Sequence, residues 1–86
     1  KTYYTFYTGH KATEPREVIL LATSKDCKTW TKDRSFRLSA PIEAGYDKNE
    51  FRDPYVFYDA TAQCYRMLVS ALKNGDGYII YFYQFA

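Results

Sequence analysis

The chain has 86 residues, with 12 Lys and Arg against 10 Asp and Glu, a formal net charge of +2. That length allows one domain at most, and the near-balanced charge offers no basic footprint for nucleic acid. With 47% hydrophobic residues and seventeen aromatics spread along its length, the composition argues against disorder. No apolar run approaches the ~18 residues of a membrane span, and no stretch reads as a targeting segment.

Taken in order, four apolar stretches stand out: Thr2–Thr8, Val18–Thr23, Tyr65–Leu72 and Tyr78–Phe85. A shorter one, Tyr55–Tyr58, follows a charged cluster in mid-chain. All are rich in Tyr, Phe, Ile and Val and bounded by Gly, Asp, Asn or Lys, which is the pattern of strands. None carries the ten or more residues of 3.6-period patterning that a helix needs. Between them, Ser24–Thr29, Asp59–Gln63 and Asn74–Gly77 read as hairpin connections, and Gly9–Glu17 reads as a longer loop. The expectation is an all-β antiparallel meander of about six strands, with a looser crossing near Arg34–Asn49.

Strands with one wet face alternate apolar and polar residues. The runs Val18–Ala22 and Tyr78–Tyr83 do not alternate, so they ask for cover on both faces. A domain this small buries only ~60–65% of its unfolded surface and cannot wrap its sheets twice. Either the chain is a two-layer sandwich or it is part of a larger stack of sheets. Lys1 starting almost inside one strand and Phe85-Ala86 ending inside another favour a fragment. Most aromatics fall within the strand runs, where core packing is their commoner role.

Cys27 and Cys64 make no disulfide framework, and two unpaired thiols are the first reading, with a single bridge as the alternative. Their spacing and the lone His10 fit no metal-ligand pattern, so neither metal nor cofactor is expected. The compartment stays open, an extracellular or periplasmic setting being favoured.

The densest polar cluster is Asp47-Lys48-Asn49-Glu50-Phe51-Arg52-Asp53-Pro54. Pro54 cannot donate to a ladder and belongs at the first residue of a strand or on an edge strand. Asp53 is then expected at the mouth of that strand, with Glu50 ahead of it. Arg52 and Asp53 point to opposite faces and need not pair. By composition alone, an Arg-Asp-Pro at a strand start is most often a solvated turn.

The segment Glu50-Phe51-Arg52-Asp53-Pro54-Tyr55-Val56-Phe57 resembles the Arg-Asp-Pro motif of glycoside hydrolase family 32, the invertase, inulinase and levanase enzymes. Phe6-Tyr7-Thr8-Gly9-His10 is similar to the family's "FYTG" strand end, and Leu21–Trp30 to its "A-x-S-x-D-x-x-x-W" strand and turn. The three segments occur in the family's order and span nearly the whole chain. Family 43 arabinanases, which share the propeller and an Asp-Pro strand start, are the nearest alternative. The sialidase Asp-box turn differs in its length and its Gly.

The resemblance implies a five-bladed β-propeller, of which residues 1–45 and 50–86 would hold parts of two successive blades. Stacked blades would account for strands that are apolar on both sides. It also implies a retaining glycosidase acting on β-fructosides such as sucrose, inulin or levan. The family's nucleophile lies in an Asn-Asp-Pro-Asn segment and its acid/base in a Glu-Cys segment, and this sequence has neither. Asp53 matches the third acidic residue, the transition-state stabiliser. Arg52 would orient that carboxylate or bind a sugar hydroxyl, and His10 stands as a weaker substrate contact. Strand parity puts His10, Lys11, Asn74 and Asp76 at the same end as Asp53, with both cysteines at the other. The expected partner is a carbohydrate, and open blade faces would also permit self-association. The competing functional reading is a non-catalytic carbohydrate-binding β-module that uses its aromatics as platforms for sugar rings.

Overall fold

The computed structural model describes residues 1–85, which form six strands. In chain order these are β1 (Tyr3–His10), β2 (Glu17–Ser24), β3 (Thr31–Lys32), β4 (Tyr46–Asp59), β5 (Cys64–Lys73) and β6 (Gly77–Phe85). A 3₁₀ turn, Ile42–Ala44, precedes β4. The strands build two antiparallel sheets, β1-β2-β3 and β4-β5-β6.

β2 (EVILLATS) is buried along most of its length, as a run apolar on both faces should be. It pairs with β1 from Tyr3↔Ser24 to His10↔Glu17. Its other edge is covered piecemeal. β3 pairs only with Ala22 and Thr23, and the ladder resumes at Leu38, which exchanges backbone hydrogen bonds with Ile19 at 2.9 and 3.0 Å. The interruption is local chemistry: the Asp33 carboxylate accepts the Ser35 N–H and hydroxyl at 3.0 and 2.6 Å, which turns the chain out of the sheet.

Between the sheets lies one core of Ile19, Ala40, Phe51, Met67, Val69 and Ala71. Met67, Val69 and Ala71 alternate along β5, so a single face of that strand supplies half of it. Phe6, Phe36, Tyr81 and Phe85 close around these residues, with Phe6 edge-on to Phe36 at 5.4 Å. Toward the Thr2 end the sheets diverge into a cleft of about 800 Å³ lined by Tyr4, Phe6, Phe36, Val56 and Phe85, among others.

Two expectations need correction. The strand that carries Arg-Asp-Pro begins at Tyr46, not at Asp53, so Glu50 lies within it and Pro54 sits in mid-strand on an edge. The start escapes periodicity because its polar side chains are engaged sideways. Lys48 pairs with Glu14 at 2.8 Å, and Asn49 accepts the Arg16 N–H at 3.0 Å. Many of the aromatics, moreover, are not core. Tyr55, Tyr78 and Phe82 are 64%, 69% and 52% exposed, and Ile80 between them is 59% exposed. They share the face of the second sheet turned away from the core, where Arg66 lies over the Phe82 ring at 5.0 Å. The apolar second face foreseen for these strands is thus present and uncovered. Both thiols are free, Cys27 exposed and Cys64 buried.

The Ser24–Thr29 connection shows what the Ser-x-Asp spacing does. The Ser24 hydroxyl oxygen accepts the N–H groups of Asp26 and Cys27, and Asp26 Oδ1 accepts those of Lys28 and Thr29, both at 2.9 Å. Two short side chains therefore satisfy four backbone donors in a turn that no ladder reaches. The Thr29 and Lys28 N–H groups, followed by the Ser24 hydroxyl, hold the Asp26 carboxyl below its usual range. A carboxyl so lowered contributes stability above its unfolded value, and loses it as the pH falls through the lower folded one. Asp26→Asn should therefore be less stable than the parent at pH 7. The gap in urea midpoint should narrow as the pH drops below about 4.

Candidate active site

β4 is an edge strand, and its outward N–H groups need partners. Two of them find partners near the adjoining ends of β1 and β2. Phe51 N–H donates to Glu17 Oε1 at 2.9 Å, and Asp53 N–H donates to Thr8 Oγ1 at 2.9 Å. The β1–β2 register, with Thr8 opposite Ile19 and His10 opposite Glu17, brings both acceptors to this end of the sheet. Side chains of one sheet thus tie down the edge of the other.

From that seam a chain of charged groups runs across the surface. Arg52 Nε donates to both oxygens of Glu17, at 2.8 and 3.0 Å, and its Nη2 donates to Glu50. Tyr78 donates its hydroxyl to Glu50 at 3.0 Å. Residues 50 and 52 share a strand face, which lets one guanidinium stand between two carboxylates. Glu17 is only 7% exposed, a position that an ionised carboxylate holds only when paired and hydrogen-bonded. Glu17, then Glu50, raise the Arg52 guanidinium above its already high range, so it stays charged. Arg52, then Tyr78, hold the Glu50 carboxyl below its usual range, while Glu50 pushes the Tyr78 hydroxyl up. His10 Nδ1 lies 3.5 Å from Glu17 Oε2, with most of its ring in solvent.

Asp53 is placed differently. Its φ is 62°, in the left-handed region, and the β4–β5 register shifts between Arg52 and Tyr55. Asp is among the few residues that enter that region readily. A bulge of this kind re-aims a side chain and commonly sits next to functional sites. Asp53 is exposed, and among the described residues its carboxylate has no hydrogen-bond or ion-pair partner. Glu14, Glu17, Asp47 and Glu50 nearby are all engaged; this one faces water.

The structure places His10 at the end of β1 and Arg52 and Asp53 midway along β4, around Glu17 and Thr8, rather than at a strand mouth level with Asn74 and Asp76. Arg52 and His10 meet through Glu17, and Arg52 turns to Glu17 and Glu50 rather than to Asp53. Glu50, expected ahead of the strand, is within it and bonded to Arg52. Glu17, Thr8 and Tyr78 were not foreseen. For Glu17 a signal existed: a lone acid directly before the apolar run Val18–Ala22. Nothing local marked Thr8 or Tyr78, whose partners are 45 and 28 positions away.

The all-β architecture of two three-stranded antiparallel sheets fits a β-propeller. Residues 1–86 match the model of the glycosyl hydrolases family 32 N-terminal domain, and the chain belongs to that family. No curated protein matched it.

Replacing Arg52 by Met would leave the Glu17 carboxylate buried without its counter-charge. Complete burial would make that cost about 3–5 kcal/mol. With Arg52 about one-third exposed, solvent screening brings the expected loss to roughly 1–3 kcal/mol, read from the urea midpoint.

Proposed function

We propose that the chain is the part of a family 32 catalytic domain that supplies the transition-state-stabilising carboxylate for hydrolysis of β-fructosides such as sucrose, inulin or levan. Asp53 is that group. Its exposed, unpartnered carboxylate on a left-handed bulge, within Phe51-Arg52-Asp53-Pro54, is the observation that carries the reading. An ionised carboxylate held beside the sugar accepts hydroxyl hydrogen bonds and favours the positive charge that grows at the anomeric carbon. Because that charge peaks at the transition state, the interaction lowers the barrier more than it tightens ground-state binding. Arg52, fixed between Glu17 and Glu50, presents its remaining N–H groups to a substrate hydroxyl. His10, largely exposed at the end of β1, is a rim contact.

Retaining glycosidases work with a nucleophile and an acid/base about 5–5.5 Å apart. The segments that carry those two groups in the family are not in this sequence. Their residues, and further sheets over the apolar face of Tyr55, Ile80 and Phe82, belong in this reading to the rest of the domain. The sheets β1-β2-β3 and β4-β5-β6 are then parts of two neighbouring blades.

In the full-length enzyme, Asp53→Asn should lower kcat by orders of magnitude while folding is nearly unchanged. A variant with near-normal kcat would remove Asp53 from the chemistry. The isolated 86-residue chain should release no fructose from sucrose or inulin, and should elute from size exclusion as more than a monomer through its open apolar face. Fructose release by the isolated chain would refute the division of the acids.

A further inference from the structure

Glu17 stands outside the three residues to which the proposed function assigns roles, yet it touches the backbone and side chain immediately before Asp53. We propose that Glu17 is the positioning residue of this site: its carboxylate holds the Phe51–Arg52 segment so that the bulge presents Asp53 to the sugar. The inference rests on the fructosidase reading above.

The geometry is specific to that segment. Glu17 Oε1 accepts the Phe51 N–H at 2.9 Å and the Arg52 Nε–H at 2.8 Å, and Oε2 takes the Arg52 Nε–H again at 3.0 Å. Two successive residues are thus gripped by one side chain, and the next residue is the one at φ 62°. At that residue itself, Thr8 accepts the Asp53 N–H at 2.9 Å. The bulge is thus held from the other sheet at each of the three residues leading up to its turning point. Glu17 itself has little freedom, being 7% exposed at the end of a strand paired along its whole length. A group needed only to fill space here would be replaceable by an apolar one, since buried ion pairs add little net stability. What an apolar residue would not supply is an acceptor for the Phe51 N–H together with a fixed partner for Arg52. A displacement of ~1 Å at a reacting group can cost about 100-fold in rate.

The test uses the full-length enzyme with sucrose, comparing Glu17→Gln, Glu17→Ala, Asp53→Asn and the Glu17→Gln/Asp53→Asn double variant. Glu17→Gln keeps the volume and one carbonyl acceptor but loses the charge that fixes Arg52. Its kcat should fall about 10–100-fold per folded molecule while KM changes less than about 3-fold. The double variant should be no slower than Asp53→Asn alone, because the two groups act as one. An unchanged kcat overturns the proposal, as does a loss confined to KM or to the yield of folded protein. If Glu17→Ala does not fold, Glu17→Gln carries the test, and a Glu17→Gln protein that also fails to fold makes Glu17 a structural residue and overturns it. A near-normal Asp53→Asn would sink the fructosidase reading instead, so the two failures are told apart.

Discussion

One carboxylate with a backbone N–H and a guanidinium at its oxygens joins the two halves of this molecule. Glu17 opens the most deeply buried strand of the first sheet and ties down the edge of the second at Phe51 and Arg52. An ionised group so far from water is tolerable only when every lone pair has work, and that condition dictates its surroundings. Arg52 must stay charged and near. Phe51 must turn its N–H outward while its ring fills the core. The seam between the sheets is therefore polar at one end and wholly apolar a few residues away, where Ile19 and Phe51 meet Met67 and Val69.

That division organises the rest. The apolar part sets the separation of the sheets and the face each strand presents. The polar part sets the register at which the edge of β4 meets β1 and β2, because side-chain acceptors of fixed length reach only certain N–H groups. At the opposite end of the strands, turns built by Ser24 with Asp26, and by Asp59, which accepts the Thr61 and Ala62 N–H groups, close the hairpins without such cross-links among the described residues. The Ser-x-Asp spacing that helped mark the family is thus a turn-former far from the Arg-Asp-Pro corner. A signature can report architecture at one position and chemistry at another.

How much of this was legible beforehand depended on whether the cause was local. The strand runs declared themselves through apolar and β-branched residues, and Asn74–Gly77 through residues that accept positive φ, as Gly75 and Gly77 do. The missing alternation in Val18–Ala22 and Tyr78–Tyr83 called for cover on two faces. β2 is buried along most of its length, whereas in β6 the same signal meets an open second face, at Ile80 and Phe82. The polar start of β4 was read as part of a loose crossing because its side chains answer to residues 14 and 16 rather than to a pleat. At the corner, Arg52 and Asp53 were visible as a motif. The Glu17 link joins residues 35 positions apart, and the bulge is set by long-range edge contacts; neither leaves a mark on neighbouring letters.

Folding asks little of residue 53 beyond a short side chain at ease with a left-handed backbone, a demand that an amide or a bare hydrogen meets as well as an acid. Its negative charge secures nothing among the described residues. Architecture and ionisation are consequently decoupled at this one point. A sister chain that had exchanged the acid for its amide would keep the same outline and lose only an electrostatic property, so shape alone would never tell the two apart.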